Sequence, residues 1–205
     1  FMISTEFLVT SLIVVLVPGT GVIYTVSTGL ALRWRASIAA AIGCTAGIIP
    51  HLTASTLGLS AVLHRSALVF QILKIAGSLY LFYLAWSMWR DTGMIRLETQ
   101  ASSTNVLQII VKGVLINLLN PKLTLFFFAF LPQFISTDGS SVTQQMIALS
   151  AIFMLMTLLI FIMYGILASG VSTYMLNSPR AVRNIRRTFA LVFAALAVKL
   201  ALSKS

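Results

Sequence analysis

A lysine stands inside one of the greasiest stretches of the chain. Residues 117–134 read NLLNPKLTLFFFAFLPQF, with Lys122 flanked by Asn117, Asn120 and Pro121 and followed by an aromatic run. A lysine at the centre of a membrane-spanning helix costs about 2.5–3.5 kcal/mol. Two readings of Lys122 stand: a charged member of a binding site, or a structural tether to a backbone carbonyl, to Asn117 or to Asn120. The proline beside it has no N–H, so the carbonyl four residues earlier, on Asn117, loses its helical donor. Pro18 does the same to the carbonyl of Val14. In lipid each such group needs a partner from a side chain, water or substrate. The half-helix that begins after each break exposes free amides with a partial positive charge, which attract anions. Lys122 and such a helix end together suit a carboxylate.

Other ionisable groups are fewer. Lys74, in QILKIAGSLYLFYLAW, lies one to two turns inside its apolar run, where a lysine either snorkels to the interface or serves a site. Gly77 follows it at i+3, and Trp86 and Trp89 near Arg90 read as an interfacial belt. His51 follows Pro50; it is either a buried hydrogen-bonding histidine or a proton carrier, a role to which imidazoles in general are suited. Behind it Ala40, Gly43, Cys44 and Gly47 form a small-residue stripe with a GxxxG spacing, the pattern of a close helix contact within one chain or between two.

Several chemistries are excluded. The four acids, Glu6, Asp91, Glu98 and Asp138, all fall at the ends of apolar runs or between them, so no carboxylate sits deep in the apolar stretches to hold a metal cation. One histidine and one cysteine on a helix make a poor metal site, and no metal or other cofactor is expected. No Walker motif and no Ser/His/Asp set occurs, so the chain is not read as an enzyme. Cys44 is the sole cysteine, which rules out an internal disulfide or a CxxC redox pair.

The elements that must position these residues are membrane helices. Of 205 residues 59% are hydrophobic and 9% charged, with mean hydropathy +0.99; ordinary soluble domains carry about 25% charged residues. Six apolar runs, roughly 7–28, 36–63, 68–88, 107–135, 146–171 and 188–203, have about the length a spanning helix needs. The first has no basic leader or cleavage site and is read as a retained helix. The net charge of +10 comes from residues in short loops, Arg33 and Arg35, Arg90 and Arg96, and Arg180, Arg183, Arg186 and Arg187, rather than from a nucleic-acid-binding surface. Cytoplasmic loops carry the excess of Lys and Arg, which puts these odd-numbered loops in the cytoplasm and both termini outside it.

Pro18 and Pro121 lie about half the chain apart, each in the first span of a three-span half. Three spans per half force the second half into the membrane inverted, and paired Gly/Pro interruptions in such repeats point to a transporter's binding site. The expected fold is an all-α integral membrane protein: one domain over residues 1–205, with repeat one at about 1–95 and repeat two at about 105–205. Its six helices form two inverted three-helix repeats, with spans one and four broken at Pro18-Gly19 and Asn120-Pro121.

These features resemble the LysE/RhtB family of amino-acid exporters in the lysine exporter superfamily. The Pro18-Gly19 break, GIIPHLTASTLGLSAVL from Gly47, LKIAGSLYLFYLAW from Leu73 and GVLINLLNPKLTLFFFAFLPQF from Gly113 carry the resemblance over nearly the whole chain. The resemblance implies a six-helix bacterial inner-membrane exporter driven by the proton gradient, and functional positions at Pro18, Gly19, Lys74, Gly77, Asn120, Pro121 and Lys122. This chain departs from it at Pro18-Gly19-Thr20-Gly21, where the family usually has Pro-Gly-Pro and then Asp or Asn. It departs again at LRWRAS from Leu32, where a glycine pair usually brackets an arginine. The expected function is export of an amino acid or similar small zwitterion, by proton antiport. The substrate carboxylate would meet Lys122 and the half-helix amides, and its ammonium the freed carbonyls near Val14 and Asn117, with Thr20. Lys74 would gate, and His51 or Lys122 would carry the proton. The expected partners are the substrate, the lipid bilayer and a second copy in a homo-oligomer. The alternative is a divergent, non-transporting membrane scaffold of the same fold, motivated by the altered first-break motif.

Overall fold

The computed structural model describes residues 3–63, 105–136 and 141–175, together with helical positions 72, 75, 78–79, 82–83, 86, 89–90, 187, 190–191, 194–195, 197–198 and 201–202. Lys74 and Gly77, singled out above, lie outside the described residues. Every element among the described residues is helical. They are α1 (Thr5–Leu16), α2 (Thr20–Ala46), α3 (Ile49–Leu63), α4 (Val106–Leu118), α5 (Pro121–Leu125) and α6 (Val142–Met175). α5 runs on through a π turn (Phe126–Phe130) and a 3-10 turn (Leu131–Phe134).

The breaks fall where the prolines require them. α1 starts at Ser4, whose side chain accepts from Phe7 N at 3.1 Å, and stops at Leu16, just before Pro18. α4 stops at Leu118, and α5 starts with Pro121 in its first turn, where a missing N–H costs nothing. The two parts, Val106–Leu118 and Pro121–Phe134, meet at 51°. They cover the fourth apolar run, and the helix break expected at Asn120-Pro121 falls there.

α2 is two arms rather than one rod. Arg33 has φ 70° and ψ −180°, a conformation that strongly favours glycine. In a straight helix Thr25 and Ser37 would be about 18 Å apart, yet a Cβ placed on Gly165 would meet the side chains of both. The chain therefore folds back at Arg33, and the polar LRWRAS segment is the turn between the first and second runs. Arg35 stacks on Trp34, 5.3 Å from its ring centre.

The small-residue stripe is a contact inside the chain. A Cβ on Gly43 would collide with Ile110 O, and one on Gly47 would stand 2.6 Å from Val114 O. Gly113 answers from α4: a Cβ there would lie 2.9 Å from Cys44 N. Absent side chains let the second arm of α2 and α4 touch backbone to backbone. The opposite side of the bundle is aromatic, with Phe126 stacked on Phe153 at 4.2 Å and Phe127 edge-on to both.

Among the described residues Val142–Gly170 and the folded-back stretch Thr20–Gly58 are long and apolar enough to cross a membrane, and Val106–Leu118 with Pro121–Phe134 makes a third if the bent pair is one span. The third and sixth runs are described only at scattered helical positions. Next to them, among the described residues, the Arg187 guanidinium lies 5.3 Å from the Trp89 ring centre. Trp86 and Trp89 are exposed, as an interfacial belt requires.

Candidate functional site

The two breaks meet. Where α1 ends, the helical donors for its last carbonyls are lost to Pro18 or displaced beyond the break. Val17 N closes the final turn on Ile13 O at 3.0 Å, but Val14 O, Leu16 O and Val17 O look elsewhere. Lys122 Nζ donates to Val14 O and to Val17 O, 3.0 Å each. Tyr164 Oη donates to Leu16 O at 3.0 Å. Lys122 is buried and its side chain reaches past Gly19, where a Cβ would stand 3.2 Å from Nζ. Both named acceptors are neutral carbonyls. The negative charge facing the ammonium is the partial charge at a helix C-terminus.

The second break is built from asparagines. Asn120 caps α5: its Oδ1 accepts from Lys122 N at 3.0 Å, the usual task of an N-cap asparagine. This fixes the backbone from which the lysine side chain departs. Asn120 Nδ2 donates to Asn117 Oδ1 at 3.3 Å, and Asn117 Nδ2 donates to Cys44 O at 2.8 Å. Cys44 O is open because Ile48 N, its ordinary helical donor, bonds Thr45 O instead. Asn117 is 1% exposed and its Oδ1 occupies the space that a Cβ on Gly21 would need.

Asn117 O, the carbonyl that Pro121 leaves without its donor, accepts from Asn120 N at 3.1 Å and from His51 Nε2 at 2.9 Å. A carbonyl only accepts, so Nε2 carries the hydrogen. Nδ1 then faces Thr124 Oγ1 at 3.4 Å. The π turn repeats the theme: Leu131 N bonds back to Phe126 O, and Ser55 Oγ fills the skipped Phe127 O at 2.7 Å.

The structure thus brings Gly19, Asn117, Asn120 and Lys122 together with His51 close by. Pro18 lies partly buried in the first break. Thr20 and Pro121 are exposed at the starts of their helices. Both carbonyls that the prolines orphan are held by ionisable side chains of this chain: Val14 O by Lys122 and Asn117 O by His51. The tether reading of Lys122 therefore describes its contacts in this conformation.

A cavity of about 10 Å³ adjoins Lys122, bounded by Gly21, Asn117 and Asn120 on its polar side and by Phe153, Thr157 and Phe161 of α6 opposite. That is room for about one water molecule. A solute larger than water fits only if the walls of the cavity move apart. Sequence reasoning missed the α6 wall, Tyr164 and the carbonyl of Cys44. Gly21 was visible as part of Pro-Gly-Thr-Gly, and Cys44 as part of the stripe. Tyr164 bonds a main-chain atom and leaves no mark of its own in the sequence.

The LysE type translocator family matches residues 12–204. The homoserine/homoserine lactone efflux protein of Salmonella typhimurium is 30% identical over 187 residues, covering 91% of this chain and 90% of the relative. The leucine efflux protein of Enterobacter sp. is 27% identical, covering 76% of each chain. The threonine efflux protein of Salmonella typhi is 23% identical, covering 74% of this chain and 73% of the relative. No solved structure matches. With its broken apolar helices and a match over nearly its full length, this chain belongs to the LysE type translocators, a family of membrane transporters and not of enzymes.

Proposed function

We propose that this protein exports amino acids, or similar small zwitterionic metabolites, from the cytoplasm across the bacterial inner membrane. The observation that carries this reading is Lys122: a buried lysine at the crossing of two helix breaks, beside a small cavity lined by two asparagines and by aromatic rings. The names of the relatives cited above, all efflux proteins for amino acids or their lactones, support the same substrate class.

The reading completes the architecture as six spans in two inverted three-helix repeats, with both termini outside the cytoplasm. The breaks at Pro18-Gly19 and Asn120-Pro121 then lie near the midplane. α1 has 12 residues and so climbs about 18 Å through a hydrocarbon layer of about 30 Å. Alternating access would be a rocking of the halves about this centre. The proton is carried by antiport, with His51 and Lys122 as the ionisable groups nearest the substrate, and Lys74 gates.

The test is efflux from proteoliposomes loaded with mixed amino acids under an imposed pH gradient, read by mass spectrometry. Selective loss of one or a few species, abolished by Lys122→Ala in folded protein, is the expected result. Loss that persists unchanged in Lys122→Ala removes the site from the reading. No loss from vesicles holding folded wild-type protein removes amino-acid export itself.

A further inference from the structure

The end of α1 is a seat for one ammonium group. Val14 O and Val17 O converge on a single nitrogen, each at 3.0 Å, and the helix C-terminus adds its partial negative charge. Gly19 walls the seat without filling it; a side chain there would press on the nitrogen, with a Cβ only 3.2 Å away. The seat is specific in type: among the described residues it offers two acceptors, so it takes a group that brings N–H bonds and positive charge.

We infer that this seat is the ammonium subsite for the transported molecule, and that Lys122 is its resident occupant, displaced when a ligand's primary ammonium enters. The inference rests on the reading of this centre as the substrate site and adds to it an obligatory exchange. If Lys122 left with nothing arriving, two buried carbonyls would lose their donors, which lipid cannot replace, and an ammonium would stand unpaired. A ligand ammonium restores both bonds. The released lysine, on a flexible four-carbon stem, then meets the carboxylate that the same ligand carries beside its ammonium. The small cavity enforces the order, because it cannot hold a ligand while the lysine remains seated and the helices remain closed.

The ligand class follows. Molecules with a primary ammonium next to a carboxylate exchange with Lys122. Hydroxy acids, which lack the ammonium, and N-trimethylated analogues, which lack its N–H donors, do not.

The experiment empties the seat and refills it from solution. Full-length Lys122→Ala is purified in detergent and its thermal unfolding is followed with methylammonium, tetramethylammonium and potassium chloride at equal ionic strength. Methylammonium should raise the Tm by about 2–4 °C at saturating concentration. The other two cations should not, and the wild type, whose seat is filled, should show no such rise. An equal response to tetramethylammonium or potassium overturns the proposal, because charge alone would then suffice. No response to any cation in folded variant overturns it as well. If Lys122→Ala fails to fold, it is prepared with methylammonium present throughout, and Lys122→Gln, with a shorter neutral side chain, is tested in parallel. Failure of both to fold or respond with methylammonium present counts against a refillable seat. The assay is independent of transport: a protein that binds methylammonium in the emptied seat but exports no amino acid keeps the seat and loses the proposed function.

Discussion

Asn117 and Gly21 offer a sharp test of how the two breaks are joined. Asn117 Oδ1 occupies the space where a Cβ on Gly21 would be, with Asn117 Cγ 3.1 Å and Phe161 Cε2 3.0 Å from the same point. Gly21→Ala therefore meets a side chain held on both sides, by Asn120 Nδ2 at 3.3 Å and Cys44 O at 2.8 Å. Overpacking of this kind costs about 1–3 kcal/mol, partly offset by up to about 1 kcal/mol from replacing a helical glycine with alanine. Asn117→Ala alone breaks two interhelical hydrogen bonds. These average about 0.6 kcal/mol each in a membrane protein, and leaving Cys44 O and Asn120 Nδ2 unpaired raises the total to about 2–3 kcal/mol. In the double variant the obstruction has gone and the new methyl fills part of the space that the asparagine left. Adding Gly21→Ala to Asn117→Ala should then be neutral or stabilising. The coupling energy is about 1–3 kcal/mol, with the double variant more stable than the sum of the singles. The assay is reversible denaturation of the purified chain in mixed micelles, followed by far-UV circular dichroism for all four proteins. Additivity within about 0.5 kcal/mol would refute the claim that the first break is packed against Asn117.

Other predictions follow from single residues. Arg33→Gly should raise stability by about 1–3 kcal/mol, because a residue at φ 70° and ψ −180° pays a backbone strain that glycine does not; a thermal melt showing no gain would discount the turn. Ser55→Ala should cost about 1 kcal/mol by leaving Phe127 O without its donor. Thr53→Ala should cost close to nothing, because its exposed hydroxyl only back-bonds Ile49 O on its own helix; equal effects in denaturation would sink the distinction. Cys44 is 0% exposed and should stay unlabelled by maleimide in folded protein, so single cysteines report topology against a quiet background. Ile3→Cys should label in intact cells and Arg35→Cys only after permeabilisation; the reverse pattern would invert the orientation proposed above.

Legibility of the site divides along a physical line. The missing N–H of proline is a covalent fact, so the orphaned carbonyls of Val14 and Asn117 could be named from Pro18 and Pro121 alone. Their partners could not, because Lys122 and Val14 are 108 positions apart and His51 and Asn117 are 66 apart. Nothing local selects a lysine for one carbonyl and a histidine for the other. The GxxxG stripe announced a close contact, because glycine and alanine lack the atoms that keep helices apart, but which helix would fill the space is a tertiary matter, and α4 fills it. The turn at Arg33 was legible from its arginines and not from its backbone, since arginine has no preference for a positive φ. Thr20 was attractive as the hydroxyl nearest the first break, yet the register of α2 leaves it exposed and turns Gly21 inward. Tyr164 and the aromatic face of α6 were invisible among a long apolar run, where residues at the site look no different from residues facing lipid.

The hydrogen bonds at the centre tie the two halves of the chain together in both directions. Lys122 holds Val14 and Val17, Tyr164 holds Leu16, and Asn117 holds Cys44; His51 and Ser55 hold Asn117 and Phe127 in return. Each pair joins the first half of the chain to the second. A side chain from its own half could have closed each break locally, as Asn120 does for the Lys122 amide of α5. Because the remaining carbonyls are closed from across the chain, neither break can relax unless the other half moves or a substitute donor arrives. In water that dependence would be weak, since solvent supplies donors freely. In a buried centre, beside a cavity of only about one water's volume, it is strong, and the substitute must be a molecule that carries its own donors. In the exchange proposed above a zwitterion would satisfy both ends of that requirement: its ammonium would replace the lysine on α1 and its carboxylate would then answer the lysine it displaced. Neutral solutes of the same size can do only half of this, which would make the bonds that close the centre also its filter.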